Sequence, residues 1–283
     1  MKNNLKTAIL LAAIGGLMIA VGGYIGGSGG AAIGLTIGLV FVGGSYWFSD
    51  RLAIRAAGAV EVTEQQMPRY YAIVRGLSQR ADMPMPKLYV SPDPQPNAFA
   101  TGRNPDHAAV CVNEGILNIL TWQELEGVLA HEISHVHNRD ILIGSVAAAV
   151  AMGITFVARM AMWGAMFGGG DRDRDNNIFG TLALVVLAPV AAMVLQMALS
   201  RSREYEADRS GARLLGTGEP LARALAKLEQ GVRSVPSNVD PAHASAYIAN
   251  PLAGQKMQFK NLWSTHPPME DRIRRLRDRE WQD

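Results

Sequence analysis

Long apolar runs alternate with polar segments along this chain. Two runs without a charged residue cover 7–27 and 30–48, and two more apolar runs cover 141–160 and 178–199. As a helix, about 20 apolar residues reach roughly 30 Å, which is the thickness of the hydrocarbon core of a bilayer. The pattern therefore predicts an integral membrane α-helical bundle with four transmembrane helices.

Two features of these runs allow a different interpretation. Lys2 and Lys6 precede the first run, as basic residues precede the apolar part of a cleaved signal peptide. We favour a membrane span, because the run is long for a signal peptide and a second run follows after one short turn. Arg159 falls within the third run, where we expect its side chain to extend to the far interface rather than to act as an intramembrane charge.

Basic residues near the ends of the runs predict the orientation of the bundle, since cytoplasmic loops of membrane proteins are enriched in lysine and arginine. The basic residues predicted on one side of the membrane are Lys2, Lys6, Arg51, Arg55, Arg139, Arg201 and Arg203. The other side receives Arg172 and Arg174. Both chain termini are therefore expected in the cytoplasm. The predicted division is a membrane pair at 1–50, a cytoplasmic segment at 51–140, a membrane hairpin at 141–199 and a second cytoplasmic segment at 200–283.

The two cytoplasmic segments predict one mixed α+β domain that is mainly helical. Short β-type runs occur at Lys87–Val90, around Phe99 and at Ala109–Val112. A helix is expected after Thr63, which would cap its first turn. The apolar stripe of that helix consists of Met67, Tyr71, Val74 and Leu77.

A second predicted helix carries the strongest chemical signal. Thr121 and Glu124 have the spacing of a capping box. An apolar stripe follows at Leu125, Val128, Leu129, Ile133 and Val136. His131 and His135 are four residues apart, so they project from one helix face and can bind one zinc ion, while Glu132 beside them can accept a proton from water. The alternative is two unrelated helical histidines, which the small total of six histidines in the chain disfavours.

A catalytic zinc ion needs a third protein ligand and leaves one position open. A helix expected to begin near Arg201 offers Glu204. Asp208 lies one turn further along the same face, where it could accept a hydrogen bond from a ligand histidine. Glu206 and His137 are expected to point away from the metal. Acidic pairs at this spacing are common on solvated helix faces, so this part of the pattern is weak by itself.

The order of the segments supports the same pairing. His135 and Glu204 must meet at one metal ion, although the runs 141–160 and 178–199 separate them. An even number of membrane crossings returns a chain to the side from which it left. The metal prediction and the membrane prediction are therefore consistent with each other.

Several separated motifs resemble those of the HtpX-type membrane zinc metallopeptidases, a family grouped with the CAAX prenyl proteases. The motifs are His131–Asp140, Arg203–Asp208 and Thr265-His266-Pro267-Pro268, in the family's order and after glycine-rich paired spans. The resemblance covers nearly the whole chain. It implies a gluzincin-like catalytic domain with one Zn²⁺ per chain and Glu204 as third ligand. It also implies endoproteolysis of membrane proteins in the quality control and stress response of the bacterial envelope.

Two weaker implications of the resemblance concern the substrate. Asn97, Ala98 and Phe99 match the family's edge strand, which holds an extended substrate by backbone pairing. An ordinary short strand is an equal alternative. His266 precedes two prolines and could stabilise an oxyanion, although a structural or capping histidine is the alternative that we favour slightly.

Charge and cysteine content narrow the choice of partners. A net charge of +2 is too small to indicate a nucleic-acid partner. The single cysteine, Cys111, excludes an internal disulfide and fits a reducing compartment. The arginine-rich run Arg272–Arg279 predicts a helix with a solvated charged face, which could also contact anionic lipid heads of the bilayer.

The sequence as a whole predicts a membrane-bound zinc-dependent endopeptidase of the bacterial inner membrane. Its expected substrates are misfolded or damaged membrane proteins and unfolded polypeptides, cleaved at the cytoplasmic face. One alternative is a CAAX-type peptidase acting on prenylated substrates. The prediction of four spans rather than a larger membrane chamber argues against it. The other is a non-catalytic membrane adaptor with a structural zinc ion. Glu132 beside a three-ligand site counts against that adaptor, since structural zinc sites usually have four protein ligands.

Overall fold

The computed structural model describes residues 47–140, 201–234 and 267–282, together with a few isolated earlier positions. The chain divides into two compact units. The three described stretches belong to the unit made of Trp47–Ile141 and Ser200–Asp283. The fold below is that of this unit.

The predicted membrane spans fall almost entirely outside the described residues. This holds for 7–27, 141–160 and 178–199, and for 30–48 except at a few positions. Among the residues that the structure describes, no helix is long and apolar enough to cross a bilayer.

The described unit combines helices and strands. In chain order they are helix α1 (Ser49–Ala56), strand β1 (Val60–Glu61), helix α2 (Pro68–Arg80), strand β2 (Lys87–Ser91), strand β3 (Ala98–Thr101), a 3₁₀ turn (Pro105–His107), strand β4 (Ala109–Asn113), and helices α3 (Glu114–Ile119), α4 (Trp122–His137), α5 (201–215), α6 (Glu219–Ser234) and α7 (Met269–Arg277). This mixed and mainly helical arrangement confirms the architecture predicted for the polar segments.

The four strands form one sheet in the order β1-β2-β4-β3. Strands β2 and β4 are parallel, whereas β1 and β3 pair antiparallel to their neighbours. The three strands predicted from the sequence are confirmed within one or two residues. Strand β1 was not predicted, because it has only two residues and both are exposed. The order leaves β3 at one edge of the described sheet.

Strand β4 is central because its sequence suits burial on both faces. All five of its residues are buried, and the central Cys111 has no exposed surface. Parallel strands covered on both faces have such continuous apolar runs. Helix α4 packs against the neighbouring edge strand β3, which brings the helix with the paired histidines to that edge.

Helix α2 does not begin where the sequence indicated. Its N-cap is Met67 and Pro68 occupies the first turn, so the prediction that Thr63 caps it is wrong. Thr63 instead closes a separate turn, in which its backbone N–H and hydroxyl both donate to Oε1 of Gln66. Proline has no N–H to lose and a φ suited to a helix start, and so it moves the start past Thr63. Val74 and Leu77 of the predicted stripe are fully buried, together with Tyr70, which the stripe did not include.

Helices α4 and α6 pack against each other in the core. The apolar stripe predicted for α4 is confirmed, since its five residues are all buried. Helix α6 contributes Leu221, Leu225 and Leu228, each fully or almost fully buried, and each such leucine contributes about 1.5–3 kcal/mol. The backbones approach closely at Gly127, where a Cβ would lie 2.4 Å from the backbone nitrogen of Leu221.

Helix α7 corrects the interpretation of the arginine-rich run as a solvated face. Arg272 and Leu276 are buried and lie one turn apart on the face that packs against the domain, while Arg274 is exposed. Arg272 has no exposed surface, because carboxylates of another helix compensate its charge. The sequence of Arg272–Arg279 shows a row of charges, but it does not indicate which arginine has a buried partner.

Candidate metal centre

Two helices bring the predicted metal ligands together. Helix α4 begins at the capping box of Thr121 and Glu124, which the structure confirms in both directions, and it continues through the paired histidines to His137. Helix α5 passes directly beside it. At Gly211, a Cβ would lie 3.0 Å from the backbone nitrogen of His131, so the absence of a side chain permits the close approach. Glu204 and Asp208 of α5 therefore face the histidines of α4.

The side chains of His131, His135 and Glu204 converge on one point. One potential ligand atom from each lies within 4.8 Å of the others. The Nε2 atoms of the two histidines are 3.1 Å apart. Oε2 of Glu204 is 3.6 Å from Nε2 of His131, and Oε1 is 3.5 Å from Nε2 of His135. The sequence placed these three residues at one site, and the structure brings them together.

Aspartates hold the outer nitrogens of both histidines. Nδ1 of His131 lies 2.9 Å from Oδ1 of Asp208, and Nδ1 of His135 lies 2.9 Å from Oδ2 of Asp140. An ionised carboxylate can only accept a hydrogen bond, so an aspartate beside Nδ1 favours the neutral tautomer in which Nδ1 carries the proton. The lone pairs of the two Nε2 atoms then face each other and the Glu204 carboxylate. A pair of facing lone pairs beside a carboxylate is a donor set that fits a divalent cation.

The electrostatics of the cluster also favour a positive charge. Burial by itself would lower the pKa of His135. Hydrogen bonds to Asp140 and Glu204 and the nearby carboxylate charges outweigh burial and raise that pKa to about 10. The surroundings of this imidazole therefore stabilise a cation, and the residues present fit a zinc ion, for which imidazole and carboxylate are common ligands.

Two arginines support the aspartates and were not recognised from the sequence. Arg272 contacts both carboxyl oxygens of Asp208 at 2.7 Å and Oε2 of Glu204 at 3.1 Å. Arg203 donates from Nη1 to the backbone carbonyl of Asp140 at 2.8 Å. Asp140 is the last residue of the motif His131–Asp140, but the sequence assigned it no role. Its position five residues after His135 was the only local signal for its contact.

Glu132 lies beside the cluster and is tied to the sheet edge. Its Oε2 accepts a hydrogen bond of 2.9 Å from the backbone N–H of Ala100 in β3. Burial raises the pKa of the Glu132 carboxyl, while the charges of His131 and His135 and the Ala100 N–H partly offset that increase. Glu132 thus occupies an oriented, buried position next to the potential ligands.

The residues predicted to contact substrate lie on the same edge. Ala98 and Phe99 belong to β3, the strand whose Ala100 contacts Glu132. Asn97 precedes the strand, is buried, and accepts from the backbone N–H of Asn113 through its carbonyl oxygen. His266 lies outside the described residues.

Two residues that the sequence excluded from the site are placed as expected. Glu206 is exposed and forms an ion pair with Arg209 on its own helix. His137 is exposed at the end of α4 and is not part of the ligand cluster.

Comparison with known proteins decides the family. The model of peptidase family M48 matches residues 64–280, which include every residue of the cluster. The chain belongs to peptidase family M48. This assignment confirms the resemblance found in the motifs, and with the relatives below it supports a membrane-associated metalloprotease.

Curated relatives extend the M48 likeness to nearly the whole chain. A protein named "Protease HtpX homolog" from Pelotomaculum thermopropionicum is 48% identical over 97% of this chain and 98% of its own length. Proteins of the same name from Pseudarthrobacter chlorophenolicus and Thermococcus kodakarensis are 52% and 48% identical, over 97% and 96% of this chain and 95% and 94% of their own lengths.

A solved structure shares the fold of this M48 chain. The crystal structure of S. mikatae Ste24p matches with a TM-score of 0.52 and 19% identity, over 97% of this chain. The chain spans 65% of the length of Ste24p. At this identity the likeness concerns the fold alone.

Proposed function

We propose that this M48 metallopeptidase is a zinc-dependent endopeptidase that cleaves misfolded or damaged membrane proteins at the cytoplasmic face of the bacterial inner membrane. The observation that carries the proposal is the buried cluster of His131, His135 and Glu204, with Glu132 beside it and hydrogen-bonded to the edge strand β3. Each of these four residues has the chemical type and the location that peptide hydrolysis at a zinc ion requires.

His131, His135 and Glu204 would hold one Zn²⁺ per chain. When bound, the ion would act as a Lewis acid that polarises the scissile carbonyl and lowers the pKa of water. Asp208 and Asp140 would keep each imidazole in the tautomer with Nε2 directed at the ligand point. Three protein ligands rather than four favour a catalytic site over the structural site of a non-catalytic adaptor.

Glu132 would be the general base. Its carboxylate accepts a proton from the attacking water and passes it to the nitrogen of the leaving amine. The Ala100 N–H holds one carboxyl oxygen, which restricts the rotation of the side chain. The group is buried, and burial raises the pKa of its carboxyl.

The substrate would bind as an added strand along β3. An edge strand offers backbone N–H and C=O groups to a second chain, and such pairing selects an extended backbone rather than particular side chains. The contact between Ala100 and Glu132 puts this edge next to the proposed base. Loose sequence preference suits an enzyme that removes unfolded segments. For His266, oxyanion stabilisation and a structural or capping role both stay predictions.

The membrane location rests on the apolar runs and the basic residues at their ends. They support a multi-pass protein with both termini and the catalytic domain in the cytoplasm. No feature of the described residues favours prenylated substrates over unfolded polypeptides.

Metal content and cleavage, measured on the same samples, test the proposal. Full-length protein would be purified in detergent, loaded with zinc and incubated with an unfolded polypeptide such as reduced, alkylated casein. We expect one zinc per chain and cleavage that a chelator abolishes. Glu204→Ala should lose both zinc and cleavage, and Glu132→Gln should keep zinc but lose at least roughly 100-fold in kcat.

Glu206→Ala is the matched control, because Glu206 is an exposed carboxylate two residues from Glu204 on the same helix. It should retain zinc and activity. Turnover retained by Glu132→Gln would refute the assignment of the base. Full zinc content in Glu204→Ala would refute the ligand set.

A further inference from the structure

Arg272 is the most deeply buried charged side chain in the described unit, with no exposed surface. It is carried by α7, which comes from a different stretch of the chain than α4 and α5. A buried guanidinium is costly unless its donors are matched by acceptors. Its planar fork suits two carboxylates well, since it provides five N–H donors in fixed directions.

Arg272 contacts two carboxylates of the metal site. Nε and Nη2 donate to Oδ2 and Oδ1 of Asp208, each at 2.7 Å, and Nη1 lies 3.1 Å from Oε2 of Glu204. Asp208 in turn contacts Nδ1 of His131 at 2.9 Å. One guanidinium therefore fixes the proposed third ligand directly and one histidine ligand through Asp208.

The contact with Glu204 also distinguishes the two oxygens of its carboxylate. Oε2 pairs with Arg272 and lies 3.6 Å from Nε2 of His131, while Oε1 lies 3.5 Å from Nε2 of His135. The side chain of Glu204 is thereby held from behind, with one oxygen engaged by the arginine. Without that contact, a glutamate side chain has three rotatable bonds and would lose more freedom on binding a metal.

Helix α7 is held in place by contacts outside the metal site. Leu276 is buried in the core, and the backbone of α7 approaches Gly218 so closely that a Cβ there would lie 2.7 Å from the carbonyl oxygen of Leu276. The guanidinium of Arg275 lies 4.2 Å from the ring centre of Tyr205, the neighbour of Glu204 on α5. The position of Arg272 therefore depends on the docking of the whole helix.

We propose that Arg272 is a positioning residue, which orients Glu204 and Asp208 for zinc and makes zinc affinity depend on the docking of α7. This inference rests on the proposed zinc site. It assigns the C-terminal helix a role in assembling the metal centre, beyond packing. Metal binding and α7 docking are then coupled, so each stabilises the other.

Two effects of Arg272 on zinc have opposite signs, which makes the inference testable. The guanidinium is a cation near the ligand point and repels Zn²⁺. If this repulsion were its only effect, removing the guanidinium would tighten zinc binding. As a clamp on the carboxylates, it pre-organises the ligands, and its removal would weaken binding. The sign of the change in zinc affinity separates positioning from simple electrostatics.

The experiment compares Arg272→Gln and Arg272→Lys with the wild type, using full-length protein in detergent. The zinc dissociation constant would be measured by competition with a chromophoric chelator, at a temperature where circular dichroism shows each variant fully folded. We expect Arg272→Gln to bind zinc roughly 10–100-fold more weakly, as is usual for residues that orient metal ligands. Arg272→Lys should fall in between, because it keeps the charge but not the fork.

Arg274→Gln is the matched control. Arg274 lies on the same helix, but it is exposed and its ion pairs are with acidic residues near it in the chain. Its zinc affinity should stay within about twofold of wild type. The visible absorption of the Co²⁺-substituted protein should change in both Arg272 variants and stay unchanged in Arg274→Gln. A merely structural role of Arg272 would leave the absorption of its variants unchanged.

Unchanged or tighter zinc binding in a folded Arg272→Gln would overturn the inference. If that variant does not fold, Leu276→Ala decides, since it loosens α7 while keeping the guanidinium. It should weaken zinc binding several-fold, and wild-type affinity would overturn the inference. A wild type that binds no zinc, or a His131→Ala variant that binds zinc normally, would instead reject the proposed metal site itself.

Discussion

The backbone N–H of Ala100 donates a hydrogen bond of 2.9 Å to Oε2 of Glu132. The two residues are 32 positions apart, one on the edge strand β3 and the other on helix α4. The contact joins the surface proposed to bind substrate to the group proposed to move the proton. The orientation of Glu132 therefore depends on the strand beside it as well as on its own helix.

Removing this donor should slow catalysis without removing zinc. Ala100→Pro has no N–H, and its position on an edge strand, with the N–H directed at Glu132 rather than at β4, is one where proline is tolerated. A hydrogen bond to a charged group contributes about 1.5–3 kcal/mol, so we expect kcat to fall roughly 10–100-fold. Zinc content should be unchanged.

Ala100→Gly is the control, since it changes the side chain but keeps the N–H. Its kcat should stay within a few-fold of wild type. Equal kcat values for the proline and glycine variants would show that the Ala100 donor does not position Glu132.

The aspartate behind His135 leads to a second prediction. Asp140 accepts from Nδ1 of His135 at 2.9 Å, and Arg203 donates to the backbone carbonyl of the same residue. Asp140→Ala should lower zinc affinity roughly 10–100-fold, because the imidazole loses the partner that sets its tautomer and orientation. Asp140→Asn should have a smaller effect, since its amide oxygen can still accept.

Chelator competition on the full-length protein measures these affinities. Asp106→Ala provides the control, because Asp106 is an exposed aspartate in the 3₁₀ turn Pro105–His107. It should bind zinc as the wild type does. The role assigned to Asp140 would have to be abandoned if Asp140→Ala and Asp106→Ala had the same zinc dissociation constant.

Local signals explain which parts of the fold could be predicted. The capping box of Thr121 and Glu124, the apolar stripe after it and the strand at Ala109–Asn113 depend on neighbours within a few residues, and all three were correct. The prediction that Thr63 caps helix α2 failed because Pro68, further along the chain, sets the helix start. Thr63 and Gln66 nevertheless have a cap-like spacing. Where two local signals compete, the backbone constraint of proline prevailed.

Contacts between distant segments explain what could not be predicted. Arg272 lies 64 positions from Asp208, inside a run whose other arginines are mostly exposed. Nothing in the run marks which arginine has a buried partner. Glu204 was placed at the site because a family motif matched, since the spacing of acidic residues on α5 is common on solvated helices.

The close approach of α4 and α6 leads to a stability prediction. A Cβ at Gly127 would lie 2.4 Å from the backbone nitrogen of Leu221, and a backbone atom cannot move aside as a flexible side chain can. Gly127→Ala should therefore destabilise the domain by about 1–3 kcal/mol, the usual cost of overpacking. The melting temperature and the denaturant midpoint should both fall.

Gly76→Ala is the matched control, because Gly76 lies inside helix α2, where a Cβ would lie 3.7 Å from Nη2 of the flexible Arg80 side chain. Alanine there gains helix propensity without a clash, so the variant should be more stable by roughly 0.5–1 kcal/mol. Equal stability changes in the two variants would contradict the close packing of α4 on α6.

The single cysteine should be unreactive toward thiol reagents in the folded protein. Cys111 has no exposed surface, and burial raises the pKa of its thiol to about 12. The thiolate is the reactive form, so iodoacetamide at about pH 8.5 should label native protein roughly 100-fold more slowly, or slower still, than protein unfolded in guanidinium. Mass spectrometry of the intact chain measures the labelling. Native labelling at the rate of a free thiol would contradict the central position of β4.

The same thiol should make stability depend on alkaline pH. Well below pH 9 it is protonated in both the folded and the unfolded chain, and it contributes no pH dependence. Between about pH 9 and pH 12 the unfolded chain loses the proton while the folded chain keeps it, so the free energy of unfolding falls as pH rises. Cys111→Ala removes this contribution, and its stability should decline less steeply than that of wild type over the same range. Denaturant unfolding at about pH 8, 9 and 10 measures both slopes, and parallel slopes would show that the thiol ionises as readily in the folded chain as in the unfolded one.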